Sequence, residues 1–131
     1  MSESEIKYGI QKQFREALQA LAVSPELQVE FTGPCDVPVE IIEDYLLWCG
    51  SYKNYFKDEL SNQIVEEITD LGYWVDKMPD TVFRDTNIES MQQPEWEPLR
   101  AKAKELLLKL NWPIEPPPPF VNEGDGVYRR K

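Results

Sequence analysis

The sequence predicts a mainly α-helical domain, and three observations carry that prediction. Apolar residues recur every three to four positions through four separate stretches. Residues that start and stop helices bracket those stretches. Period-two alternation, the mark of a strand, occurs in only one of the segments between them. A chain of 131 residues is one domain by length. The expectation is a compact helical domain of about four helices over residues 1–113, with room for a small two- or three-stranded sheet. An extended Pro-rich C-terminal tail follows over 114–131.

The first helix is expected over 5–22. Ile6, Ile10, Phe14, Ala17, Leu18 and Leu21 share one face at 100° per residue, Ser4 can cap the start, and Pro25 lies just past the end. Leu27, Val29 and Phe31 then alternate with polar residues, which reads as a short strand ended by Thr32, Gly33 and Pro34. A strand needs a partner. Candidates are Tyr73–Val75, Thr81–Phe83 and Gly126–Tyr128.

Asp36 and Pro38 mark the start of the next helix and Gly50 a stop. Only Glu40, Glu43 and Asp44 interrupt an otherwise apolar surface, so this is read as the central, buried helix. A further helix is expected over 54–72, with Phe56, Leu60, Ile64, Ile68 and Leu71 as its core stripe and Gly72 as its stop. Glu59, Glu66 and Asp70 project from it as one acidic ridge, with Gln63 beside them. A solvated face is the plain use of such a ridge; half of a docking surface is the functional one.

Residues 73–97 read as an irregular segment, but Trp74, Met78, Phe83, Met91 and Trp96 are too large and apolar for plain disorder. The last helix runs over 98–111 on Leu99, Ala103, Leu106, Leu107 and Leu110. Its Arg100, Lys102, Lys104 and Lys109 are expected to lie against the acidic helices. In the tail, Pro116–Pro119 must be extended, because proline fixes φ and keeps its predecessor out of the helical region. The expectation is a clasp: the tail folds back, Phe120 and Tyr128 pack on the domain, and the basic tip of Arg129, Arg130 and Lys131 approaches the acidic helices. The alternative is an arm offered to a partner.

Charge is unevenly placed. Residues 36–97 carry 15 acids against 4 bases, while 98–131 are net basic. That field repels a phosphate backbone and attracts a basic partner, so direct nucleic-acid binding is not expected. No stretch reaches the roughly 18 apolar residues of a membrane span. The polar, acidic start, MSESEIKYGI, lacks the pattern of a secretory signal, and a cytoplasmic location is expected. Cys35 and Cys49 are separated by thirteen residues and read as small apolar residues rather than a disulfide or metal pair.

The chain has no histidine. The commonest general base and metal ligand is therefore missing, along with the Ser-His-Asp and Cys-His arrangements and the His-bearing helical metal motifs. No phosphate-cradling glycine loop or calcium loop is present. Carboxylate-only hydrolysis from Glu40, Glu43 and Asp44 is the one catalytic alternative, and no sugar-binding aromatic cleft accompanies it. The expectation is a non-enzyme with no cofactor and no metal.

Binding remains. In size and charge the chain resembles bacterial immunity proteins and phage-encoded inhibitors. The reading is an acidic protein-binding protein that occludes a basic partner, most concretely an immunity protein neutralising a cognate nuclease-type toxin. The alternatives are a phage-type inhibitor mimicking DNA and an assembly factor that uses its Pro-rich tail as a ligand. The candidate contact residues are Glu59, Glu66 and Asp70 from the ridge, and Asp76, Asp80 and Asp85 from the irregular segment. Trp74 is the aromatic anchor, with a core position as its plainer alternative.

Overall fold

A computed structural model describes residues 2–118 in full; the expected packing of Phe120, Tyr128 and the basic tip lies outside them. Six α-helices form among the described residues: α1 (Glu3–Ala22), α2 (Pro25–Thr32), α3 (Val37–Tyr55), α4 (Asn62–Asp76), α5 (Asn87–Met91) and α6 (Trp96–Lys109). The four long ones make a closed ring. α1 packs on α3 and α6, and α4 completes the circuit between α3 and α6. Short α2 and α5 pack on each other and on α3.

The ring closes on a core of Phe14, Leu18, Leu21, Ile41, Ile68 and Leu107, all fully buried. At one end the Phe14 and Tyr52 rings stack at 4.5 Å, Phe56 stacks on Tyr52 at 4.7 Å, and Trp112 meets Tyr52 edge-on at 5.6 Å. Such pairs contribute about 0.5–1.5 kcal/mol each beyond their burial. The Tyr45 hydroxyl donates to the carbonyl of Ile68 at 2.7 Å and ties α3 to α4.

The cap of α1 is Ser2, not Ser4: Ser2 Oγ accepts from the amide of Glu5 at 3.2 Å. The expected strand at 27–31 is helix α2, and no strand forms among residues 2–118. Two local facts overrule the alternation. Ser24 accepts from the amide of Leu27, and Pro25 sits in the first turn, where its missing N–H costs nothing. The buried residues of this segment are then the polar pair Gln28 and Thr32, one helical turn apart. Of the proposed partner segments, the first two are not strands, and Gly126–Tyr128 lies outside the residues described in full. Tyr73–Val75 belongs to α4, and Asp80–Val82 is a single 3-10 turn.

Neither Gly50 nor Gly72 stops a helix. α3 runs past the first to Tyr55, and α4 runs past the second to Asp76. Conversely, the helix expected over 54–72 is broken by a turn before Ser61, which caps α4 at the amide of Ile64. Residues 77–95 are pinned by caps and bonds rather than by long elements. Thr86 caps α5 at the amide of Glu89. Asn87 accepts from the amide of Val37 at 3.1 Å and donates to the carbonyl of Cys35 at 2.9 Å, so α5 caps α3. Trp96 is fully buried and donates its indole N–H to the carbonyl of Ser90 at 3.0 Å.

α6 ends in a Schellman motif. Asn111 adopts φ 60°, Trp112 donates to the carbonyl of Leu107 and Asn111 to that of Leu108. Beyond it the chain turns back. Gln19 Nε2 donates to the carbonyl of Pro113 at 3.1 Å, and Pro117 is buried. Glu16, Gln19 and Ala20, on the side of α1 opposite Phe14, Leu18 and Leu21, are buried as well. The start of the tail therefore lies against the body.

Candidate protein-binding groove

The sequence-expected contact residues divide on the structure. Glu59 is not on α4; it sits in the preceding turn, where its carboxylate meets Lys7 Nζ at 2.6 Å. Lys7 also lies 4.7 Å above the Phe56 ring, so this carboxylate serves a contact between the turn and α1. The ridge of three expected on one helix is therefore reduced to Glu66 and Asp70, both exposed and one turn apart. Trp74 continues that row by another turn. Asp76 ends α4, Asp80 opens the 3-10 turn and Asp85 precedes α5; all three are exposed, and no ion pair among the described residues joins them to the row.

Trp74 is not in the core. Its side chain is 59% exposed, beside Tyr73 at 57%, and their rings meet edge-on at 5.4 Å. The indole forms one wall of a groove of about 690 Å³ between the second half of α4 and the first half of α6. Leu71, Trp74 and Met78 line one side, and Pro98, Leu99 and Ala101 line the other. A hollow of about 110 Å³ adjoins it, where Asp70 and Trp74 face Lys102 and Leu106.

The groove exists because α4 and α6 part company at one end. They run antiparallel. Near the start of α4, Glu67 Oε1 meets Lys109 Nζ at the end of α6, at 2.6 Å. Lys109 also reaches Glu105 at 3.3 Å. The hydrogen bond that Lys109 donates to Glu67 leads in raising the pKa of Lys109, and the one it donates to Glu105 leads in lowering the pKa of Glu105. Toward the other end, small Ala101 and ring-closed Pro98 face Trp74 and Met78, and the facing side chains do not fill the space.

The rim carries both signs. Lys102 reaches Glu105 at 3.5 Å, and Lys77 Nζ lies 5.8 Å from the centre of the Tyr73 ring. Asp70 and Glu95 make no ion pair among the described residues.

Expectation and structure also part on α6. Its basic residues were expected to lie together against acidic helices, and only Lys109 does so, through Glu67. Arg100 is buried, bonding Gln28, Glu97 and the carbonyl of Met91. The groove's α6 wall was missed altogether. Its one local signal is the apolar pair Pro98 and Ala101, exposed on a helix whose other exposed side chains are charged apart from Leu108.

No protein-family model, no curated protein and no solved structure matches the chain. The groove therefore stands on its own chemistry. Among the described residues no three acidic or thiol side chains converge as a metal site would require, and no helix is long and apolar enough to cross a membrane.

Proposed function

We propose that this is a protein-binding domain that occludes a basic partner, and that the α4–α6 groove beside Trp74 is the centre of the contact. One observation carries the reading: an indole 59% exposed stands on the wall of a largely apolar groove of about 690 Å³. Apolar area in water costs about 25 cal/mol per Å², so covering the groove favours association. Contiguous exposed apolar patches mark binding surfaces, and Trp is the residue type most enriched among hot spots.

Charge supports the basic partner. Asp70 and Glu66 project one and two turns from the indole, and residues 36–97 carry 15 acids against 4 bases. Such a surface steers a positively charged protein toward the groove and repels a nucleic acid. Occlusion follows if carboxylates take the positions that phosphates would take among the partner's Lys and Arg side chains. A nuclease-type toxin has that chemistry, and an immunity protein is the concrete form of this reading. An inhibitor that mimics DNA toward a DNA-binding enzyme would use the same surface. The burial of Pro117 and the Gln19–Pro113 bond weigh against the proline segment as the ligand.

Photo-crosslinking tests the reading. With a photoreactive residue at position 73, the captured protein should be net basic. Capture should fall at least tenfold in the Trp74→Ala background and weaken as salt rises. A captured partner that is acidic, or whose capture ignores Trp74, overturns the proposal.

A further inference from the structure

We infer that the α4–α6 groove takes one amphipathic α-helix of the partner, two to three turns long. That helix carries apolar residues at i, i+3 or i+4 and i+7, with a Lys or Arg beside the anchor nearest Asp70. This rests on the binding reading above and specifies what the partner presents.

Groove length selects the ligand's repeat. From Leu71 on α4 to Met78, two residues past its end, and from Pro98 to Glu105 on α6, each wall covers seven steps of chain. At 1.5 Å per residue each wall is about 10 Å long, or two helical turns. Three anchors at i, i+3 or i+4 and i+7 fill that length on one face of a helix.

Backbone chemistry excludes the extended alternative. Both walls are mainly α-helix, and neither presents the open edge of a strand. A strand added here finds no ladder to join, so recognition runs through side chains. A polyproline segment needs a row of aromatic side chains to dock between. Among the residues lining this groove, Trp74 is the sole aromatic. What the walls offer instead suits a third helix. Ala101 permits close approach, Met78 adapts its shape, and Lys77 and Lys102 can lay their methylene stems along the intruder while keeping their charges in water. Helices pack at interaxial distances of about 8–10 Å, which a seam between two antiparallel helices accommodates.

Charge sets the ligand's sign. Glu67 and Glu105 are occupied by Lys109, and Glu105 by Lys102 as well. Asp70 is exposed, shares the small hollow with Trp74, and is in no ion pair among the described residues. Asp70, which shares that hollow with Lys102, and Glu95, which lines the groove itself, are the carboxylates left to receive a Lys or Arg from the ligand helix.

The test uses synthetic peptides against the full-length, isotope-labelled protein, read at the Trp74 indole and Ala101 amide NMR signals. The first peptide places Leu at i, i+4 and i+7 and Lys on the opposite face. The second has the same composition with Leu and Lys alternating. The third replaces Lys by Glu in the helical pattern, and the fourth is proline-rich. The first should shift both signals at concentrations at least tenfold below the other three, and it should gain helicity on binding. Asp70→Lys should weaken it about fivefold. Trp74→Ala, or Ala101→Glu should the first variant fold poorly, should weaken it more than tenfold with the melting temperature unchanged. Equal binding by the alternating or proline-rich peptide overturns the helix and leaves the binding reading standing. If no peptide moves the Trp74 signal while the crosslinked protein partner still depends on Trp74, the single-helix inference falls alone. If that dependence is also absent, both readings fall.

Discussion

The guanidinium of Arg100 donates to the side-chain oxygen of Gln28 at 2.8 Å, across 72 positions of chain. Gln28 passes the connection on, donating from Nε2 to the carbonyls of Ala20 and Leu21 at 3.1 Å each. One polar chain thus joins α6, α2 and the last turn of α1. Both side chains are almost wholly buried. Gln28→Ala should therefore destabilise the fold by about 3 kcal/mol, because a buried cation loses its main acceptor while Glu97 and the Met91 carbonyl remain. Arg100→Lys should fail to substitute, since a single ammonium lacks the guanidinium's fork. Urea unfolding with an unchanged slope measures both. A loss under about 1 kcal/mol for Gln28→Ala would mean that water replaces the acceptor.

Two glycines should respond in opposite directions. Gly50 lies inside α3, and a Cβ there meets nothing within 4 Å. Gly50→Ala should stabilise by about 0.5–1 kcal/mol, through the entropy of the unfolded chain and helix propensity. Gly33 ends α2 at φ 108°, ψ −178°, a region essentially reserved for glycine. Gly33→Ala should cost about 1–3 kcal/mol. Thermal melts of the pair are the check, and a common sign would refute the backbone account.

Stability should fall at alkaline pH. Burial, with a smaller contribution from Glu59, pushes the Tyr52 phenol up to about 12. Burial also raises the Tyr45 phenol well above its usual value, with Cys49 adding to the shift. A raised phenol pKa means that the folded chain holds a proton which the unfolded chain releases near pH 10. This contribution is intact below about pH 10 and is lost as pH climbs toward about 12. Tyr52→Phe removes one of the titrating groups and should make the decline over that window shallower. Urea titrations at several pH values between about 9 and 12 measure the slope directly. An identical slope in the variant would assign the alkaline loss elsewhere.

The first residues of the tail should act as part of the body. Deleting 113–131 removes the Gln19–Pro113 bond and the buried Pro117, and should lower the melting temperature by several degrees. Deleting 119–131 tests the rest of the clasp separately. If the shorter deletion has the same effect as the longer, the anchoring belongs to the aromatics beyond Pro118 instead.

Three long helices were legible because their signals are local. The stripe from Ile10 to Leu21, the start at Asp36 and the run from Leu99 to Leu107 need only periodicity and caps. The misreadings also have local causes. At 27–31 the alternation of Leu27, Val29 and Phe31 outweighed Ser24 and Pro25, and nothing in the sequence shows that Gln28 is held inside by Arg100. The start signal at Thr86, with Glu89 three residues on, is a capping box inside the segment read as irregular. The acidic row of Glu66 and Asp70 was visible on the helical wheel. The groove was not, because its two walls lie some 25 residues apart in sequence and exist as one surface only through the antiparallel pairing of α4 with α6.

The closed ring has a kinetic consequence. α1 finds one of its two long neighbours in α6, which is synthesised more than 70 residues later. A nascent chain that ends before Trp96 can assemble α1, α3 and α4, but it leaves bare the side of α1 that α6 covers and leaves Gln28 without its cation. Joining α1 to α6 pays the loop-closure entropy late, so refolding should be governed by that single docking step rather than by helix formation. The unfinished protein is thus a sticky three-helix intermediate, and ribosomes that stall shortly before α6 should be where this chain most needs a chaperone.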